Sequence, residues 1–228
     1  DERTFQLYCR IDQRGSSPDK DLLVAHHTLR LFLIALNVGT LGQFTFANTP
    51  SIEPIIRVCN ESFQPIRDNV VILHRERGEL FEYPFTRQSL VDTILIFRIL
   101  AKQETYEIDE EYTKGLLLLE LNHSDLDFHT EAFLCFYRCF EFFITKRVLS
   151  KSKLSNELKD LQHALRLLSM PDAVIDEMKI QYQVRSSRAA HAQSQSAKVT
   201  REEALKMKVF ADVVIHHVFK QQGVELLE

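Results

Sequence analysis

The chain is predicted to be mainly α-helical, with an antiparallel helical bundle over residues 86–228 and a small α+β unit over 1–85. Three observations carry this. Only six glycines and six prolines occur among 228 residues rich in Leu, Phe, Glu and Lys, too few for a sandwich built on tight turns. From Thr86 onward the apolar residues recur at helical spacing behind recognisable capping residues. The chain is also 45% hydrophobic, enough for a sizeable core.

In the first 85 residues, "RTFQLYCRI" alternates like a strand and "RGSSPDKD" reads as a loop. Asp19 to Asn37 has helical spacing, stopped by Gly39 and Gly42. "VVILHRE" and "LFEYPF", joined by an Arg-Gly-Glu turn, predict a hairpin.

Thr86 opens the next helix, which runs to Gln103 with Leu90, Ile94, Phe97 and Leu100 on one face. A shorter helix covers Tyr112 to Leu121. Phe128 to Leu149 is long and so aromatic that it is expected at the centre of the bundle. Leu154 to Met170 follows, and Pro171 both ends that helix and starts one that runs toward Val184. Thr200 and Glu203 form a capping box for the last helix, whose apolar residues continue to Phe219. Short connections make these helices antiparallel neighbours.

Four cysteines, Cys9, Cys59, Cys135 and Cys139, are too sparse and irregular for a disulfide framework. No secretory-leader pattern opens the sequence, so a cytoplasmic protein is expected, and the sequons at Asn60 and Asn122 read as chance matches. The most apolar run, "LRLFLIALNVGTLG", is too short to span a bilayer, which argues against membrane insertion. Net charge is −4, yet residues 146–220 hold 14 Lys and Arg against 8 Asp and Glu, a locally basic third within an acidic chain. Cys135 and Cys139 share a helix face near His129, but without a C-x-x-C pair or a second ligand cluster they read as core residues; no metal or other cofactor is expected. Walker-type glycine loops, G-x-S-x-G elbows and H-E-x-x-H motifs are absent from the sequence.

One junction holds more chemistry. "YQVRSSRAAHAQ", residues 182–193, places Arg185, Ser186, Arg188 and His191 together between two helices. An arginine and a histidine at this spacing suit transesterification of RNA: imidazole moves a proton near neutral pH, and the permanently charged guanidinium binds phosphoryl oxygens. Equally, His191 fits a helix C-cap. Arg67 and His74 satisfy the same loose spacing, but Arg67 leads into a predicted strand. Arg138 and Glu141 lie one turn apart, either as an ion pair or with Glu141 turned to fix the fork of Arg185. His216 and His217 face different directions, and Asp212 sits one turn before His216 as a structural partner for it.

"FHTEAFLCFYRCFEFF" followed by "YQVRSSRAAHA" and a terminal helix resembles HEPN domains (higher eukaryotes and prokaryotes nucleotide-binding), in the forms found in ApeA-like and MauJ-like proteins. The likeness covers roughly the C-terminal half. It implies an all-α bundle that dimerises, bringing two Arg-x(4–6)-His motifs together as a metal-independent endoribonuclease used in prokaryotic defence or stress response, or as a toxin. Arg185 and His191 take the motif positions. Ser186 follows the arginine where active members more often carry Asn, Asp or His, and Ser186, Arg188 and Glu141 fall into supporting, phosphate-binding roles. RNA and a second copy of the chain are then the expected partners, with the N-terminal unit free to take a partner protein. The alternative is a noncatalytic RNA-binding or protein-interaction module on the same bundle.

Overall fold

The computed structural model describes residues 18–41, 57–59, 65–68, 86–102, 106–122, 126–189 and 198–225. Helix α1 spans Pro18–Gly39, followed by strands β1 (Arg57–Cys59) and β2 (Pro65–Asp68), which pair antiparallel with Val58 opposite Arg67. Helices α2 (Arg87–Lys102), α3 (Tyr106–Glu120), α4 (His129–Phe143), α5 (Glu157–Leu167), α6 (Asp172–Val184) and α7 (Arg201–Glu225) make up the rest. Both α4 and α6 run on into one π-helical turn, at Ile144–Val148 and Arg185–Ala189. The predicted strand over 3–11 and the hairpin over 70–85 lie outside the described residues, as does His74, whereas Arg67 is in β2. Among the described residues no helix is long and apolar enough to cross a membrane.

The helix starts follow from local chemistry. Thr86 Oγ1 accepts from Ser89 N at 3.0 Å and so caps α2. Pro171 stands at the N-cap of α6, where its missing N–H is no loss. The Thr200–Glu203 box forms in both directions: Glu203 N donates to Thr200 Oγ1 at 3.2 Å, and Thr200 N donates to Glu203 Oε2 at 2.9 Å. Helix α3 begins six residues before its expected start because Ile108, Tyr112 and Leu116 form one buried stripe at four-residue spacing.

Helix α4 anchors the core. Five of its six aromatic residues are buried, and Phe142 alone is exposed. Phe136 meets Tyr112 of α3 edge to face at 5.5 Å, while Phe140 and Phe143 meet Phe210 and Phe219 of α7 at 5.1 and 5.4 Å. Each such pair adds about 0.5–1.5 kcal/mol beyond area burial, so α3 and α7 are pinned to opposite stretches of one aromatic ridge. Helix α1, grouped by sequence with the N-terminal unit, packs on α2, α3 and α7, and its Leu31, Ile34, Ala35 and Val38 join the same core cluster.

The buried face of α2 differs from the predicted one. Leu90 and Ile94 are exposed, Phe97 is partly buried against Phe32, and the buried residues are Asp92, Thr93, Ile96, Ile99 and Leu100. Two contacts set this rotation. Thr93 lies under Gly39, where α1 ends, and Asp92 accepts from His216 Nε2 of α7 at 2.9 Å and from Gln88 Nε2 at 2.7 Å. Polar partners therefore outrank two apolar side chains for the interior.

Helix α7 supplies a polar stripe at four-residue spacing inside the bundle. Lys208 and Asp212 are fully buried and paired at 2.6 Å, Tyr112 donates to the other oxygen of Asp212, and His216 binds Asp92. Asp212 thus bonds to Lys208 and Tyr112 instead of to His216. Burial pushes its carboxyl up, and the Lys208 ammonium and Tyr112 hydroxyl oppose that shift. His217 points elsewhere, to the Leu168 carbonyl at 2.8 Å.

The α1–α2 crossing is tight enough to be tested. A Cβ on Gly39 would lie 2.5 Å from Thr93 Oγ1 and 2.8 Å from Thr93 Cα, so the two helices would have to separate. Because the clash is with Thr93 backbone as well as its hydroxyl, the overpacking cost falls in the upper part of about 1–3 kcal/mol and exceeds the roughly 1 kcal/mol gained in helix propensity by about 1–2 kcal/mol. Gly39→Ala is therefore expected to lower Tm by about 2–6 °C in a thermal melt; an unchanged or higher Tm means that α1 is not seated there.

Candidate functional site

Arg185 does not sit at a frayed helix end. Its backbone is helical, and the chain continues through the π turn to Ala189, so the arginine leaves a rigid element. Such turns displace the ladder by one residue and often mark functional positions. Hydroxyls take up the carbonyl at the changeover: Ser187 Oγ donates to Gln183 O at 2.6 Å and Ser186 Oγ to the same oxygen at 3.2 Å. Ser186, expected beside phosphate, is thereby turned back onto its own helix.

Two groups hold the Arg185 side chain. Its Cζ lies 5.6 Å from the centroid of the Tyr137 ring, and its Nη1 is 3.2 Å from Glu157 Oε2. Tyr137 then donates its hydroxyl to Glu157 Oε1 at 2.8 Å, so one carboxylate is divided between the phenol and the guanidinium. The result is a closed triangle of three side chains from α4, α5 and the π turn. Burial and the neighbouring Glu157 hold the Tyr137 phenol well above its ordinary range, which keeps it a donor. The arginine side chain remains 32% exposed at the edge of a pocket of 440 Å³ lined by Leu134, Arg138, Glu141, Phe142 and Ala189 together with Tyr137.

Glu157 is the residue that the sequence did not reveal. Its place is set by the start of α5: Asn156 is the N-cap, accepting from Lys159 N at 3.3 Å, and Glu157 is the first helical residue, where the helix dipole favours a carboxylate. Asp160 locks this entry, accepting from Ser155 N at 2.8 Å and Asn156 N at 3.0 Å, with Lys151 Nζ on its second oxygen at 3.2 Å. Those bonds hold the Asp160 carboxyl well below the usual carboxylate range, the backbone bond from Asn156 foremost.

The other predicted residues divide. Glu141 shares the pocket with Arg185, whose charge acts on it, but the ion pair to Arg185 comes from Glu157. Burial first, and Glu157 second, push the Glu141 carboxyl up, while Arg185 and Arg138 pull it down. Arg138 is not bridged to Glu141; its Nη1 stands 4.0 Å from Glu111 Oε2. Arg188 is paired with Glu203, which ties the π turn to the capping box of α7 and occupies that guanidinium structurally. Ala189 is buried, though it lines the pocket. His191 lies outside the described residues, which resume at Lys198.

Cys135 and Cys139 are buried in α4, as expected of core residues, and burial beside Glu111 pushes the Cys135 thiol up to about 11. No group of three His, Cys, Asp or Glu side chains arranged to hold a metal ion occurs among the described residues. Comparison of the chain with models of known protein families, with curated proteins and with solved structures finds no match.

The Asp160 lock gives a pH signature. Because its folded pKa lies below the unfolded value, its contribution is present above the ordinary carboxylate range and is lost as pH falls through the folded value. Asp160→Asn should therefore melt below the wild type at neutral pH, and the gap should close as pH drops below about 4. A gap that stays constant into strong acid would mean that the charge of Asp160 plays no part in holding α5.

Proposed function

We propose that this chain is a cytoplasmic, HEPN-type, metal-independent endoribonuclease of prokaryotic defence or stress response, working as a homodimer through Arg185 and His191. The observation that carries the reading is the anchored yet partly exposed guanidinium of Arg185, braced by Tyr137 and Glu157 six residues before His191. A cation fixed on a helix is ready to meet charge that grows during reaction, since little reorganisation is then needed.

In this mechanism a 2'-hydroxyl attacks the adjacent phosphorus, the P–O5' bond breaks, and a 2',3'-cyclic phosphate and a 5'-hydroxyl result. His191 of one copy takes the proton from the 2'-oxygen, and His191 of the second gives one to the departing 5'-oxygen. Arg185 stabilises the phosphorane oxygens through the N–H groups that Glu157 leaves open. The basic bias of residues 146–220 draws the polyanion to this part of the chain.

A noncatalytic RNA-binding module is the second reading, favoured by one specific observation. Glu157 already matches the charge of Arg185, and Ser186 and Arg188 are both engaged within the fold.

Incubation of the purified protein with mixed RNA in EDTA separates the two. The nuclease reading expects fragments ending in cyclic or 3'-phosphate, a loss of about 10²–10⁴ in rate for His191→Ala, and at least about 10² for Arg185→Ala. A full rate in His191→Ala removes that residue from the mechanism, and RNA retention without scission by the wild type selects the binding module.

A further inference from the structure

The pocket next to Arg185 holds a second guanidinium, that of Arg138, held only loosely by its neighbours. Arg138 is 48% exposed, its one ion-pair contact among the described residues is the 4.0 Å approach to Glu111, and it makes no hydrogen bond to them. At that separation the pair contributes little, which leaves the five N–H donors of Arg138 available. Arg188, by contrast, is consumed by Glu203. Phe142 lies four residues along the same helix, hence on the same face as Arg138, and is the one aromatic of α4 left exposed, at 44%. Leu134 and Ala189 complete an apolar wall.

We infer that this pocket is a subsite for unpaired RNA, in which Arg138 grips the phosphate next to the one held by Arg185 and the Phe142 ring stacks on a base between them. The inference rests on the reading of Arg185 as a phosphate ligand. Two arginines on one pocket offer two positive charges to a polynucleotide backbone, and an exposed ring offers the π face that any splayed-out base can use. A duplex has its bases stacked inside and cannot supply one, so the arrangement selects single strands. The volume of 440 Å³ falls within the ordinary range for a bound small molecule or nucleotide.

Three carboxylates lie beside the two guanidiniums, and Glu111 is the one near Arg138, at 4.0 Å. Glu157 is committed to Arg185 and Tyr137. Glu141 is half-buried beside both guanidiniums, and the charges of Arg185 and Arg138 act on its carboxyl.

The test uses a 2'-O-methylated oligouridine, which binds but cannot undergo transesterification, with a 2'-O-methylated duplex as the comparison. Binding is measured across a salt series. The wild type should prefer the single strand. Arg138→Ala should weaken binding about tenfold and reduce the slope of log affinity against log salt by about 0.7, whereas Arg138→Lys keeps the slope. Phe142→Ala should weaken single-strand binding by about tenfold with the slope unchanged. Both side chains are exposed, and circular dichroism verifies that the variants fold. Wild-type affinity in Arg138→Ala and Phe142→Ala, equal affinity for duplex, or displacement by an acidic peptide in place of RNA overturns the subsite. If His191-dependent cleavage persists in that case, the subsite alone is discarded; a wild type that binds no RNA discards the nuclease reading as well.

Discussion

Tyr137 joins the interior of this protein to its surface chemistry. Its ring is buried on α4, stacked at 6.1 Å on Phe133, and it is also the platform beneath the Arg185 guanidinium. Its hydroxyl holds Glu157, which in turn holds Arg185. A single core aromatic thereby helps to position a cation that emerges from another element, directly through its ring and indirectly through Glu157. Because α4 is itself clamped between α3 and α7 by edge-on aromatic pairs, the position of that cation inherits the rigidity of the bundle.

Two π turns and a polar stripe shape what surrounds it. The turn at Arg185–Ala189 extends α6 so that Arg185 and Arg188 leave in different directions, one to Tyr137 and Glu157, the other to the capping box of α7. Lys208, Asp212 and His216 lie at four-residue spacing on α7; Lys208 pairs with Asp212, which also binds Tyr112 of α3, and His216 binds Asp92 of α2. Buried pairs of this kind add little net stability over an apolar core, yet breaking one leaves a charge unmatched, so they penalise any other register of α7. The site is consequently assembled on elements whose relative placement is specified twice, by shape and by polar matching.

Local signals were readable in the sequence and long-range ones were not. Thr86, Pro171 and the Thr200–Glu203 pair mark helix starts within a residue, since a cap needs only its own next turn. The central place of α4 follows from its aromatic density. The buried face of α2 was misread because periodicity favours Leu90 and Ile94, while the contacts that turn the helix, Gly39 on Thr93 and His216 on Asp92, join residues far apart in the chain. Arg185 stood out through its motif, but its partner Glu157 did not: 28 positions earlier, at the first turn of a helix, an acidic residue reads as a dipole cap. Tyr137 was hidden by the aromatic run around it. Ser186 and Arg188 looked free in sequence because the groups that engage them, a carbonyl at a π turn and a capping glutamate, are properties of the folded backbone.

The anchoring of Arg185 is most directly tested by ¹⁵N NMR of its guanidinium in the wild type and in Glu157→Ala. A side chain clamped between the Tyr137 ring and the Glu157 carboxylate should show slow rotation about Nε–Cζ and a ring-current shift at Nε, with the rotation freed in the variant. Rapid rotation in the wild type, indistinguishable from that of a solvent-exposed arginine, would contradict the account at its centre.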